Sequence, residues 1–380
     1  MSHIVIIGSG FAGYELARQI RQHSQTAQLT IITKDDGADY NKPTLSKALG
    51  FKMTPELLVS ATAEKMSEKL NASILTQTSV TAIHPEEAKV SLSQQQIAYD
   101  KLVLACGAKV NELNLANTLH VNSLTDYRHF YEAIQHKKHV TIIGAGLVGC
   151  ELACDLCGAG YQVEVVSIDS QPMPALLPEK LANALQEKMA AHGIQFHFNS
   201  TVSAVSQQKQ RLMVELADGD TIETDVALSA IGLKPNIELA KQAGIKVNRG
   251  ILTNEYLETN VDNIFALGDC AEIETMLFQH IAPIRHAAMA LAKTITGEKT
   301  KVIYPPLMYG IKTPYYPLRV CRAPNISNDN WTLEMDDKHN AKATHHNKNG
   351  ECDAFIFAGE QVMDRETQQA LVKTMPNWLD

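Results

Sequence analysis

Ile4-Val5-Ile6-Ile7-Gly8-Ser9-Gly10-Phe11-Ala12-Gly13 runs four apolar strand-forming residues straight into Gly-x-Gly-x-x-Gly. The residues that follow, Tyr14 to Ile20, put Leu16, Ala17 and Ile20 on one helical face. The stretch therefore reads as strand, tight turn and helix. Gly8 permits the turn, the missing Cβ of Gly10 lets a pyrophosphate approach the backbone, and Gly13 lets helix and strand pack closely. The helix N-terminus then offers free N–H groups and a positive dipole end to the phosphates. The flanking strand and helix are the context this motif requires.

The same pattern returns further on. His139 to Ile143 leads into Gly144-Ala145-Gly146-Leu147-Val148-Gly149, followed by the helical Cys150 to Leu156. Two copies in strand–turn–helix context predict two dinucleotide sites, with Gly144, Gly146, Leu147 and Gly149 at the second. In such units an acidic residue about twenty residues beyond the last glycine holds the adenosine ribose. After the first motif Thr33 and Lys34 occupy that place, with Asp35 and Asp36 just beyond, so the ribose contact is displaced or made differently. After the second, Ser167 and Asp169 can bond ribose hydroxyls, and no Arg or Lys falls between Ser167 and Glu179 to take a 2′-phosphate. The second site is expected to take NADH and not NADPH.

At 380 residues, 45% hydrophobic and 20% charged, the chain has room for two or three domains with cores of their own. A net charge of −8 argues against nucleic acid as a partner. Met1-Ser2-His3 runs directly into the first strand, leaving no room for a signal peptide, and no apolar run approaches the length of a membrane span. With seven cysteines, an odd number, this predicts reduced thiols and a cytoplasmic protein. Cys150, Cys154 and Cys157 have a spacing that three iron–sulfur ligands can also show. On the helix after Gly149 they form one buried stripe, so small core residues are expected there and no metal. Between Met1 and Cys106 there is no cysteine, which excludes disulfide exchange from that region. Lys42 precedes Pro43, which favours an extended backbone presenting the ammonium inward.

Gln28–Thr33, Ala72–Leu75, Ser79–Ile83 and Tyr99–Ala108 read as strands, and 126–135 as a helix. Asp225 to Asn236 echoes the Ala-Cys-Gly strand end, including Gly232, and closes an inserted domain. Asn263 to Ala271 is a strand ending in Gly268-Asp269, one carboxylate at the carboxyl edge of a sheet where such folds bind ligands. A helix is expected over 284–296. The tail, 305–380, reads as a small α+β unit in which His345 and His346 are solvated. The expected fold is α/β, with a discontinuous first domain of 1–110 and 236–304, a second of 111–235, and this tail.

With both glycine motifs, the Ala-Cys-Gly and Ala-Ile-Gly strand ends and Gly-Asp in view, the whole chain resembles the FAD-dependent pyridine-nucleotide oxidoreductases. Within them it is similar to the branch that reduces rubredoxin, through Tyr40-Asn41-Lys42-Pro43-Thr44-Leu45-Ser46, Gly144 to Glu151, Leu228 to Asn236, Gly268 to Glu272, Ile311 to Pro314 and Pro317-Leu318. The resemblance implies FAD at the first motif and NADH at the second. It implies FAD contacts at Ser9, Gly10, Phe11 and Ala12 on the pyrophosphate loop and at Thr33 and Lys34 by the ribose. It also implies contacts at Lys42, Val80, Glu151, Asp269, Ile281 and Lys312 around ribitol and isoalloxazine. The implied reaction passes electrons from NADH through FAD to rubredoxin, for a rubredoxin-dependent oxidase or hydroxylase such as an alkane hydroxylase. The partner is a transient one and the enzyme a monomer or weak dimer. The alternatives are a reductase of flavorubredoxin in nitric oxide detoxification, an NADH oxidase or peroxidase, which needs a cysteine where this chain has none, and a non-enzymatic NADH-sensing flavoprotein. Lys42 and Glu151 are expected to form an ion pair near flavin N5.

Overall fold

A computed structural model describes residues 2–111, 113 and 115–379. Its first sheet orders the strands Ile264–Ala266, Lys101–Leu104, His3–Ile7, Gln28–Ile32 and Ser73–Leu75, all parallel. The second repeats the plan with Thr118–Leu119, Val226–Ser229, His139–Ile143, Gln162–Val166 and Gln195–His197. In each, the strand that feeds a glycine loop is central. A central parallel strand is covered on both faces, which is why Ile4, Val5 and Ile6, like Val140, Thr141 and Ile142, are at most 1% exposed. Each half also carries a three-stranded antiparallel meander: Ala82–His84, Lys89–Ser91 and Gln96–Ala98 in the first; Val202–Gln208, Arg211–Leu216 and Thr221–Thr224 in the second.

Two of the three glycines in each loop are fixed by packing. A Cβ on Gly13 would stand 2.0 Å from the carbonyl oxygen of Gly8, and one on Gly149 2.0 Å from that of Gly144. Gly8 and Gly144 themselves have positive φ, 115° and 109°. Gly10 and Gly146 have nothing within 4 Å of a built Cβ. The close-packing role read for the third glycine is thus borne out in atoms, and the middle glycine faces open space.

The halves are joined by an antiparallel ribbon, Ala108–Val110 against Leu233–Pro235. Asn236 seals it, its amide group donating to the carbonyl of Cys106 (2.8 Å). The tail forms a third, antiparallel sheet in the order Met308–Ile311, Leu318–Arg322, Cys352–Ala358, Ala341–His346, Trp331–Met335, with helix Arg365–Thr374. Its final residues do not stay with it. Leu379 bridges back to Tyr304, and Trp378 packs with Phe278 in the core of the first domain.

Four sequence expectations need correction. Ser79 to Thr81 precede the meander strand, which begins at Ala82. Lys42 does not lie extended but opens a short 3-10 helix, Lys42–Lys47, with Pro43 in its first turn, where the missing N–H costs no hydrogen bond. The helix expected from 284 begins at Ile281, because Pro283 is tolerated in a first turn. His345 is not solvated: the hairpin that pairs it with Ala354 brings the Asp353 carboxylate to its Nδ1 at 2.5 Å, leaving the His345 side chain 11% exposed. His346, the next residue, points to the other face and is exposed.

Gly13→Ala should destabilise the protein by about 1–3 kcal/mol, the usual cost of an overpacked contact. Chemical denaturation of the two proteins checks this.

Candidate active site

The cleft lies at the carboxyl ends of the first sheet, where Gly8, Thr33, Cys106 and Gly268 leave their strands. Helix Phe11–His23 starts there from Gly10, with no side chain capping its N-terminus. The open space before Gly10 and the uncapped first turn suit an anionic group. The second loop has the same features: helix Leu147–Gly158 starts from an uncapped Gly146 that faces open space. Phe11, Ala12 and Leu147 are the first residues of these helices.

The two strand ends where a ribose contact is expected are built alike. The hydroxyl of Ser9 donates to Thr33 Oγ1 (2.9 Å), and Thr33 donates to Asp35 Oδ1 (2.6 Å), which also accepts the N–H of Gly37 (3.1 Å). Asp35 is therefore the carboxylate of this strand end, two residues later than usual, and Lys34 is exposed beside it. The second domain has the same arrangement: Ser167 donates to Asp169 Oδ2 (3.0 Å). Beside it the Ser200 hydroxyl is buried with no partner among the described residues, an acceptor or donor left for a ligand. Val80 packs against the first domain's core beyond Thr78, whose N–H bonds Thr33. Gly232 lies next to the interdomain ribbon, its carbonyl accepting from Asn111 (3.0 Å).

Several titratable side chains converge at the inner end of the cleft. Glu151, 2% exposed, accepts the Lys312 Nζ at 2.5 Å, the Lys312 backbone N–H at 2.9 Å and the Ser46 hydroxyl at 2.7 Å. The pairing expected between Lys42 and Glu151 is not formed. Lys42 lies within the electrostatic influence of Asp269 and Asp126 instead, and Ser46, four residues further along its 3-10 helix, is the residue that reaches Glu151. Burial lowers the Lys42 ammonium below the ordinary lysine range, against the attraction of Asp269 and Asp126. Burial likewise raises the Asp269 carboxyl, against Lys42 and His280. His280, which the sequence reading passed over, precedes Ile281 at the start of helix Ile281–Thr296 and stacks on Tyr309 with ring centroids 4.4 Å apart. His280 is exposed to solvent as a residue, yet the protein packed around its ring lowers its basicity, against the attraction of Asp269 and Glu151. No motif marks His280; only its adjacency to Ile281 hinted at it.

Cys150 and Cys154 lie in the core, 0% and 1% exposed, and burial pushes the Cys154 thiol up to about 12, but Cys157, expected on the same buried stripe, is only half-buried and donates to the His192 carbonyl. Among the described residues no cluster of His, Cys, Asp or Glu has the arrangement of a metal site, and no helix is long and apolar enough to cross a membrane.

Residues 2–292 match the family described as pyridine nucleotide-disulphide oxidoreductase. The chain belongs to that family. FAD and NADH are the cofactors of this oxidoreductase. Residues 301–375 match a second model, the rubredoxin binding C-terminal domain. A rubredoxin-NAD(+) reductase of Acinetobacter baylyi is 46% identical over 90% of this chain and 91% of its own. A nitric oxide reductase FlRd-NAD(+) reductase of Vibrio vulnificus is 36% identical over 94% of this chain and 95% of its own. The crystal structure of a ferredoxin reductase from Rhodopseudomonas palustris superimposes with a TM-score of 0.89 at 23% identity, over 99% of this chain and 96% of that one, which bears out the fold. Although the family is named for disulfide chemistry, this member carries Lys42, Ser46 and no thiol in the segment facing the cleft.

Lys312→Met should leave the buried Glu151 charge unpaired and cost about 3–5 kcal/mol, with a smaller loss when Glu151→Gln is added. Denaturant titration of the two single variants and the double variant measures this. Gly10→Ala should fold normally, since its Cβ meets no protein atom, but purify with little FAD. Absorbance of the bound flavin reports the difference.

Proposed function

We propose that this protein oxidises NADH and passes the electrons through FAD to rubredoxin. The observation that carries the reading is the joining of two nucleotide loops to a match for a rubredoxin-binding domain whose Lys312 stands in the cleft beside Glu151. We assign 1–110 with 236–304 to FAD, 111–235 to NADH and 305–376 to rubredoxin, the last residues returning to the first core. The reading supposes a cytoplasmic monomer or weak dimer that binds no nucleic acid, in keeping with a net charge of −8.

FAD, when bound, supplies the conversion of a two-electron donor into one-electron steps. The chain's residues do the rest. The Gly8–Gly13 loop and its helix end hold the pyrophosphate, and Asp269 receives a ribitol hydroxyl. Asp35, fixed by Thr33 and Ser9, receives the adenosine ribose. Lys42 and Lys312 would bring positive charge to the cleft to balance the electrons that a bound flavin takes up, and the buried Glu151 holds Lys312 in place. Gly144 to Gly149, Ser167 and Asp169 hold NADH so that its nicotinamide reaches the same cleft.

A second reading, a reductase of flavorubredoxin, is supported by the Vibrio vulnificus relative and would use the same cleft. Steady-state NADH oxidation with rubredoxin, flavorubredoxin and oxygen side by side tests the proposal; rubredoxin should be the fastest acceptor, and faster turnover with flavorubredoxin would reverse the order of the two readings. NADH should bleach the flavin much faster than NADPH. Ile168, 71% exposed between Ser167 and Asp169, is the place for a 2′-phosphate ligand, so Ile168→Arg should raise NADPH use. Equal wild-type rates with both nucleotides would overturn the NADH assignment.

A further inference from the structure

Helix Leu147–Gly158 carries a second carboxylate one turn beyond Glu151. Asp155 takes no part in the cleft. Its two oxygens accept the backbone N–H groups of Leu49 (2.9 Å) and Gly50 (2.9 Å), which follow the 3-10 helix that begins with Lys42. One face of the helix that opens at the NADH loop therefore grips the Lys42 segment twice, at Ser46 through Glu151 and at Leu49-Gly50 through Asp155. The fit is close: a Cβ on Gly50 would stand 2.7 Å from Asp155 Oδ1. Beyond it the Met53 N–H bonds the Ala48 carbonyl, and the Met53 carbonyl accepts the hydroxyl of Tyr127 (2.9 Å), so the segment is anchored on its far side as well.

We propose that Asp155 is a positioning residue for hydride transfer: by holding Leu49 and Gly50 it registers the Lys42 segment of the first domain against the helix that binds NADH. The proposal rests on the NADH–FAD reading above. Asp155 has both oxygens taken up by backbone N–H groups. Its effect passes through the backbone from Gly50 to Lys42, and displacement of a positioned group by an ångström can cost up to about a hundredfold in rate.

Asp155 also makes the grip sensitive to acid. Burial raises its carboxyl to about 6, against the N–H groups of Gly50 and Leu49 and the charges of Lys312 and Lys47. The other groups facing it are the Tyr127 and Tyr315 hydroxyls and the Cys154 thiol, all pushed upward by burial and neutral in this range. Because the folded pKa lies above the unfolded one, this group adds stability as pH falls from about 6 towards its ordinary range. The same proton converts one accepting oxygen into a donor and releases an amide. Acid thus loosens the grip while this group stabilises the fold, so loss of rate and loss of structure move in opposite directions.

The test is anaerobic single-turnover bleaching of the FAD-loaded enzyme by NADH, without rubredoxin, across a pH series. The wild-type rate should fall as pH drops through about 6. Asp155→Asn, whose amide turns a donor towards a donor, should be slower by about tenfold or more at alkaline pH, lack that acid limb and keep its FAD content. Gly50→Ala should slow the same step from the other side of the contact, and it decides the matter if the Asn variant does not accumulate. Wild-type rates in both variants, an acid limb that persists in Asp155→Asn, or slowing that merely tracks lost FAD would each overturn the proposal. Rubredoxin is absent, so a wrong acceptor does not affect the outcome. A wild-type flavin that NADH fails to bleach would overturn the proposed function and would be seen before any variant is made.

Discussion

Glu151 is a carboxylate at 2% exposure, and the architecture is organised around keeping it paired. It stands on the first turns of a helix in the second domain. Its oxygens are satisfied by Ser46 from the first domain and by the backbone and ammonium of Lys312 from the third. A buried charge without partners costs several kcal/mol, so each domain is needed to complete the environment of this one side chain. The cleft where the three meet is thereby built by an electrostatic requirement as much as by apolar contact. The shared core agrees with this: Leu45 and Ala48 of the first domain, Cys150 and Cys154 of the second and Ile311 and Leu318 of the third belong to one buried cluster.

The two nucleotide domains solve the same problem with the same parts. Each has a central strand, two glycines fixed by packing and one facing empty space. Each ends its next strand with a hydroxyl that donates to a carboxylate two residues on, Thr33 to Asp35 and Ser167 to Asp169. They differ in what stands opposite. The first domain presents Lys42 and Asp269 to the cleft, residues from segments 227 positions apart in sequence, whereas the second presents the helix that carries Glu151 and Asp155.

The order of the two nucleotide units, their parallel sheets and their cofactor class are written locally. A buried strand into Gly-x-Gly-x-x-Gly has few other structures available, because Gly13 and Gly149 leave no room for a side chain. The lack of a basic residue after Ser167 is equally local. Pairings across domains are not. Lys42 and Glu151 were both expected at the cleft, yet Lys312 is the cation that pairs with Glu151 and Lys42 feels Asp269 and Asp126, because Ser46, four residues further along the 3-10 helix, is what stands against Glu151. His345 found Asp353 through a hairpin register that contains a bulge, and His280 found its place only when Tyr309 of the third domain came to stack on it. Backbone geometry and phosphate affinity are properties of a few consecutive residues, and the sequence by itself determined them. The partner of a charge depends on where distant segments finally lie to within an ångström, and only the tertiary structure decided that.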